Sequence, residues 1–162
     1  APLANGYHTI YSLNPHDEAG RIDWDPDAFE RLYKRITGKI RENEPQISRV
    51  NRWMMDDADM AIVTYGSEVR PAREAAVLLR EEGIKMGVVQ LCNVWPVPEG
   101  AIREVTGQVG QIFALEMNLG KYVGEIQRVV AGKIPVTGLT KNRGLVHTPW
   151  EVVQGVKEGV RK

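Results

Sequence analysis

The sequence predicts an α/β fold: a mostly parallel sheet with helices on both of its faces. Apolar runs of strand length recur at 60–65, 85–91 and 111–115. Polar or glycine-rich punctuation closes each run, and an amphipathic stretch of helical length follows each one. Strands that alternate with helices in this way are joined by right-handed crossovers and pair in parallel.

The elements read as follows. Residues 1–24 hold polar clusters and one alternating stretch, Tyr7-His8-Thr9-Ile10-Tyr11, with the spacing of an edge strand. Asp25-Pro26 offers an N-cap followed by proline at the first helical position. Phe29, Leu32, Tyr33, Ile36 and Ile40 then recur at helical spacing, which predicts a helix over 26–43 ended by Pro45. Residues 46–57 fit no single pattern. The run 60–65 is continuously apolar, as in a strand buried on both faces. Gly66-Ser67-Glu68 turns the chain, and Ser67 reads as the N-cap of a helix to about residue 82 that Gly83 stops. The second strand is 85–91. A helix opened by Pro98-Glu99 leads to the third strand, 111–115. A helix follows Asn118-Leu119-Gly120, then a short fourth strand at 135–139 and a last helix opened by Thr148-Pro149. The natural division lies in 44–58, which separates an N-terminal arm and connecting helix (1–57) from a compact α/β domain (58–162).

Composition narrows the function classes. Lys+Arg and Asp+Glu are both 21, so the chain lacks the basic excess of a general nucleic-acid binder and any polybasic handle for an anionic membrane. The apolar runs fall well short of the roughly 20 residues that span a bilayer. A single cysteine, Cys92, excludes an internal disulfide and a self-contained cysteine cluster for zinc or iron–sulfur. Its place at the end of an apolar run reads as a buried core thiol. No signal-peptide pattern is present, which reads as cytoplasmic, and the start at Ala1-Pro2-Leu3 reads as a piece of a longer polypeptide.

The candidate site residues stand at strand ends. Gly66 and Ser67 lie where a strand meets a helix, and such backbone N–H groups can hold an anion or make an interdomain contact. Neither Gly-x-Gly-x-x-Gly nor a P-loop pattern is present, and a tight turn is the simpler reading. Glu116, Asn118 and Gly120 end the third strand, as caps and interface residues or as ligand contacts. Trp95, between Asn93-Val94 and Pro96, either packs on the sheet edge or marks a protein interface. His8, His16 and His147 have no metal-ligand spacing, and Asp56-Asp57 and His16-Asp17-Glu18 read as solvated loop charge. Lys141-Asn142-Arg143-Gly144 reads as a solvated basic turn, with a site for an acidic group as the second reading.

In order and spacing these stretches resemble the C-terminal part of the alpha subunit of 2-oxoacid:ferredoxin oxidoreductases of the 2-oxoglutarate and 2-ketoisovalerate type. The resemblance rests on Gly6-Tyr7, His16-Asp17-Glu18-x-Gly20, Ile62-Val63-Thr64-Tyr65-Gly66-Ser67, Gly83-Ile84-Lys85-x-Gly87, Trp95-Pro96-x-Pro98, Glu116-Met117-Asn118-x-Gly120 and Thr148-Pro149. It departs before His16, where Ser12-Leu13-Asn14-Pro15 stands in place of Thr-Gly-Leu. The resemblance implies a transketolase C-terminal-like fold, a three-layer α/β/α sandwich whose mostly parallel five-stranded sheet has one antiparallel strand. The fifth strand would come from 7–12 or 47–52.

It also implies a complex that oxidatively decarboxylates a 2-oxoacid to an acyl-coenzyme A and reduces ferredoxin. Such a complex uses thiamine diphosphate, Mg2+, an iron–sulfur cluster and coenzyme A as co-substrate. The partners implied are a beta subunit that holds the diphosphate and Mg2+, a preceding pyrimidine domain of the same chain, and ferredoxin. This chain would bind none of the cofactors. It would be a structural and assembly domain without catalytic residues, with contacts at Gly66, Ser67, Trp95, Glu116, Asn118 and Gly120. Two other readings remain: the C-terminal domain of another thiamine-diphosphate enzyme, and a stand-alone small-ligand binding module.

Overall fold

The computed structural model describes residue 6 and residues 14–160. The alternating stretch at 7–12 lies outside the described residues. The chain divides into two compact units, 1–44 and 45–162. The division drawn from sequence falls later, between 57 and 58, because residues 46–57 show no periodicity of their own.

The first unit holds helix α1 (Pro26–Arg41). Asp25 caps it as expected, accepting from the backbone N–H groups of Asp27 and Ala28. The helix stops before Pro45, which instead lies in a one-turn helix, α2 (Glu44–Ile47).

The second unit runs β1 (Val50–Trp53), β2 (Met60–Tyr65), a 3-10 turn (Gly66–Glu68), α3 (Val69–Glu81), β3 (Met86–Leu91) and α4 (Glu99–Gln108). It continues with β4 (Gln111–Glu116), α5 (Lys121–Val130), β5 (Val136–Thr140) and α6 (Pro149–Val160). The five strands lie in the order β1-β3-β2-β4-β5. β1 pairs antiparallel with β3, and all other pairs are parallel. The fifth strand of the sheet is therefore β1, the later of the two expected stretches.

Alternation along the strands builds a core on each face. Ala61, Val63, Val89, Leu91, Ile112 and Ala114 pack under α4 and α5 through Ile102, Val105, Ile126 and Val130. Ile62, Val88, Phe113 and Leu115 face α3 and α6 through Ala72, Ala76, Leu79, Val152 and Val156. The result is a three-layer α/β/α sandwich. No helix among the described residues is long and apolar enough to cross a membrane.

Two local expectations are corrected. Cys92 is exposed, not buried. It lies one residue past β3, beyond the cover of the helices, and its Sγ accepts from Asn51 Nδ2 at 3.5 Å. Ser67 is not an N-cap: it lies within the 3-10 turn, and the capping position of α3 is Glu68.

Candidate functional site

Parallel strands deliver their carboxyl ends, and the loops that follow, to one edge of the sheet. Glu116 is the last residue of β4, and alternation turns its side chain toward α5 with Ile112 and Ala114. It is only 2% exposed. Its Oε2 accepts from Asn118 Nδ2 at 2.6 Å, from the Tyr65 hydroxyl at 3.1 Å and from Tyr122 N–H at 3.1 Å. Its Oε1 accepts from Val123 N–H at 3.1 Å. Asn118 Oδ1 takes the N–H groups of Gly120 and Lys121, both at 2.9 Å. Gly120 supplies the left-handed φ of +92° that this entry into α5 requires. The amino end of α5 thus has its donors filled by the chain's own side chains. Burial, with the Glu116 carboxylate adding to it, pushes the Tyr65 hydroxyl up to about 12. Burial also raises Tyr122. Tyr65 therefore serves as a neutral donor.

A second buried carboxylate stands at the end of the neighbouring strand. Both oxygens of Glu68 accept from His147 N–H, at 3.2 and 3.3 Å, and Oε1 lies 3.0 Å from His147 Nδ1. This contact ties the loop before α6 to the turn after β2. In the same loop Lys141 Nζ bonds Glu151 at 2.8 Å and the carbonyl of Val146 at 3.2 Å. Lys141 is thereby paired, while Arg143 stays exposed. The Lys141 ammonium, helped by Thr148 N–H, holds the Glu151 carboxyl down to about 2. Sequence reasoning passed over Glu68. The signal was its place four residues before Ala72, on the stripe that α3 turns inward.

Of the residues singled out from sequence, Gly66 and Ser67 sit exposed on the 3-10 turn after β2. Glu116, Asn118 and Gly120 form the cap on adjacent β4. Trp95 stands on the loop after β3, the other neighbour of β2. That loop is pinned by Asn93, which donates to the carbonyl of Pro96 and accepts from Arg49 N–H. Pro96 and Pro98 are buried, the Trp95–Pro96 peptide is cis, and the Trp95 side chain is 57% exposed. Leu119 at 79% on the loop after β4 and Trp150 at 62% in the first turn of α6 also stand out, with Met117, Leu145 and Val146. The edge is therefore a framed, apolar surface with its carboxylates turned inward.

These residues do not fit a diphosphate, a metal or a cluster. Glu116 fills the helix end where a phosphate would sit. Among the described residues no group of three His, Cys, Asp or Glu is arranged to hold a metal ion. Of the loop carboxylates Asp56 and Asp57, Asp57 is paired to Arg80 at 2.7 Å.

Comparison with known proteins gives the family. Residues 58–152 match the pyruvate:ferredoxin oxidoreductase core domain II. The chain belongs to this family. The 2-oxoglutarate synthase subunit KorA of Methanothermobacter marburgensis is 34% identical over 155 residues, which are 95% of this chain and 41% of that subunit. The 2-oxoacid:ferredoxin oxidoreductase alpha subunit of Saccharolobus solfataricus is 29% identical over 100% of this chain and 26% of its own. Core domain II as found here therefore spans less than half the length of these relatives. The 2-oxoglutarate:ferredoxin oxidoreductase of Magnetococcus marinus has the same fold over 99% of this chain and 28% of its own, with a TM-score of 0.67 at 24% identity. A split-gene transketolase shares the fold over 70% of this chain with a TM-score of 0.61. Core domain II is a domain of a 2-oxoacid:ferredoxin oxidoreductase alpha subunit, with a transketolase-like fold.

Proposed function

We propose that this core domain II is an assembly domain, and that the loops at the carboxyl edge of its sheet form the contact with the rest of the enzyme. The parent complex would oxidatively decarboxylate a 2-oxoacid, form its acyl-coenzyme A and pass the electrons to ferredoxin, in the cytoplasm. Thiamine diphosphate, with Mg2+, supplies the decarboxylation chemistry in such a complex, and an iron–sulfur cluster carries the electrons. Both would be held by the other parts: the preceding pyrimidine domain, the beta subunit and any further subunits. Gly66, Ser67, Trp95, Asn118 and Gly120 would lie at or beside the contact, and Glu116 would hold the contact loop in shape from below.

The observation that carries this reading is the exposure of Trp95 and Leu119 on loops and of Trp150 in the first turn of α6, with the adjoining backbone tied down by buried Glu116 and Glu68 and by half-buried Asn93. Large apolar side chains on a fixed frame suit an interface. The stand-alone ligand module is disfavoured by the same frame, because the anion seat at the amino end of α5 is filled.

The test uses the full-length subunit with its co-purifying chains, prepared without oxygen and assayed for 2-oxoacid- and coenzyme A-dependent reduction of a viologen dye. Activity is expected from the intact complex. Trp95→Ala should weaken assembly by roughly 2 kcal/mol or more, as loss of an interface anchor does. Normal assembly and turnover of a subunit lacking residues 58–162 would sink the proposal.

A further inference from the structure

The whole chain is neutral, but its carboxyl edge is not. Apart from Glu74, exposed one turn after Arg70 in α3, the acidic side chains in the loops and helix starts that follow the parallel strands are buried or paired. Glu68 and Glu116 are buried, Glu99 is held by Arg103 and Arg128, and Glu151 is held by Lys141. The basic side chains there are in the opposite condition. Arg49 before β1, Arg70 in the first turn of α3, Lys121 at the start of α5 and Arg143 before α6 are all exposed. None of them enters an ion pair among the described residues. The other edge of the sheet mixes both signs, with Asp56, Asp59, Glu81 and Glu158 exposed beside Lys85 and Lys133. Burial and pairing thus leave one edge with a predominantly positive rim around an apolar centre.

We infer that the partner surface docked on the carboxyl edge is a polypeptide surface with an apolar centre and a ring of carboxylates. This rests on the assembly reading above and names the chemistry of its partner. A rim of unpaired arginine and lysine speeds encounter with an opposite charge and sets orientation, while the desolvated centre supplies the holding energy. Nucleic acid fits the centre less well. The exposed side chains are mostly aliphatic, Val94, Met117, Leu119, Leu145 and Val146, and only Trp95 and Trp150 offer rings for base stacking. A second copy of this chain fits less well too, because neither edge of the sheet presents carboxylates alone.

The experiment follows the association rate of the full-length subunit with its co-purifying partner chain over a range of salt concentrations. The triple variant Arg49→Glu, Lys121→Glu, Arg143→Glu should associate at least about tenfold more slowly at low salt and lose most of its salt dependence. Lys133→Glu on the opposite edge should associate as the wild type does. All four positions are exposed, so the fold, checked by circular dichroism, should be unchanged. A triple variant that associates at the wild-type rate with unchanged salt dependence would overturn the inference of an acidic partner. The double variant Trp95→Ala, Leu119→Ala keeps the two claims apart. If it alone weakens the complex, docking stands and the acidic partner falls. If neither variant has an effect, the assembly reading falls as well. Self-association of the subunit, or capture of a single-stranded oligonucleotide, that the triple variant abolishes would also overturn the inference.

Discussion

The two edges of the sheet solve the same problem in opposite ways. At the amino edge the loops are sealed inward apart from the Met54 side chain. Arg80 reaches across to the carbonyls of Met54 and Met86, both at 2.7 Å, and to Asp57, and Met55 and Ala58 are buried beneath it. At the carboxyl edge it is the carboxylates that turn inward, while tryptophan, leucine and valine turn out. An edge organised only for stability hides its apolar groups. An edge that hides its carboxylates and shows its apolar groups gives up solvation that a partner must restore.

The largest effect expected on this contrast comes from Glu116. Glu116→Ala removes the acceptor of Tyr65, Asn118, Tyr122 and Val123 at once. Several buried donors lose their partner, so stability in a denaturant titration should fall by about 3 kcal/mol or more. A loss below about 1 kcal/mol would show that the cap is not what fixes the carboxyl edge. The amino edge has its own test in Gly87. A Cβ there would stand 2.3 Å from Met55 Sδ and 3.1 Å from the carbonyl of Met54. Gly87→Ala should cost about 2 kcal/mol through overpacking, and a neutral result would mean that the sealed edge has slack. Trp95→Ala should change stability by no more than about 0.5 kcal/mol, since its side chain is mostly solvated. A loss of about 3 kcal/mol would make it core and would remove it from the interface.

The smallest effect is a pH effect. The folded Glu151 carboxyl is held down to about 2 by Lys141, below its ordinary value of 4.5. A group lowered in the folded state stabilises above its unfolded value and loses that contribution as the pH falls through the folded one. The loop before α6 should therefore loosen between pH about 4.5 and about 2, seen as faster amide exchange at Thr148 and Glu151. Lys141→Met should abolish that pH dependence.

The central strands were legible in the sequence because both of their faces are covered. Met60–Tyr65 and its two neighbours, β3 and β4, needed to be apolar throughout. β1 could be named only as one of two candidates for the fifth strand, since an edge strand with Asn51 and Arg52 exposed shows neither a run nor an alternation. The cap at Asn118 could be read because its partners lie two and three residues away. Glu68 could not, because its partner His147 is 79 residues distant. The one-sided charge of the carboxyl edge was hidden for a similar reason. It depends on which carboxylates are buried and which are paired, and a neutral composition says nothing of either.

Glu116 also has a consequence as chemistry. It is a tethered anion, carried by the chain to a helix end that could otherwise recruit a soluble one. A tethered group acts at an effective concentration that no dissolved phosphate or carboxylate in a cell approaches. The seat is therefore occupied in every folded molecule, whatever the metabolite pool contains. The domain answers to its neighbours and is deaf to small anions at that position.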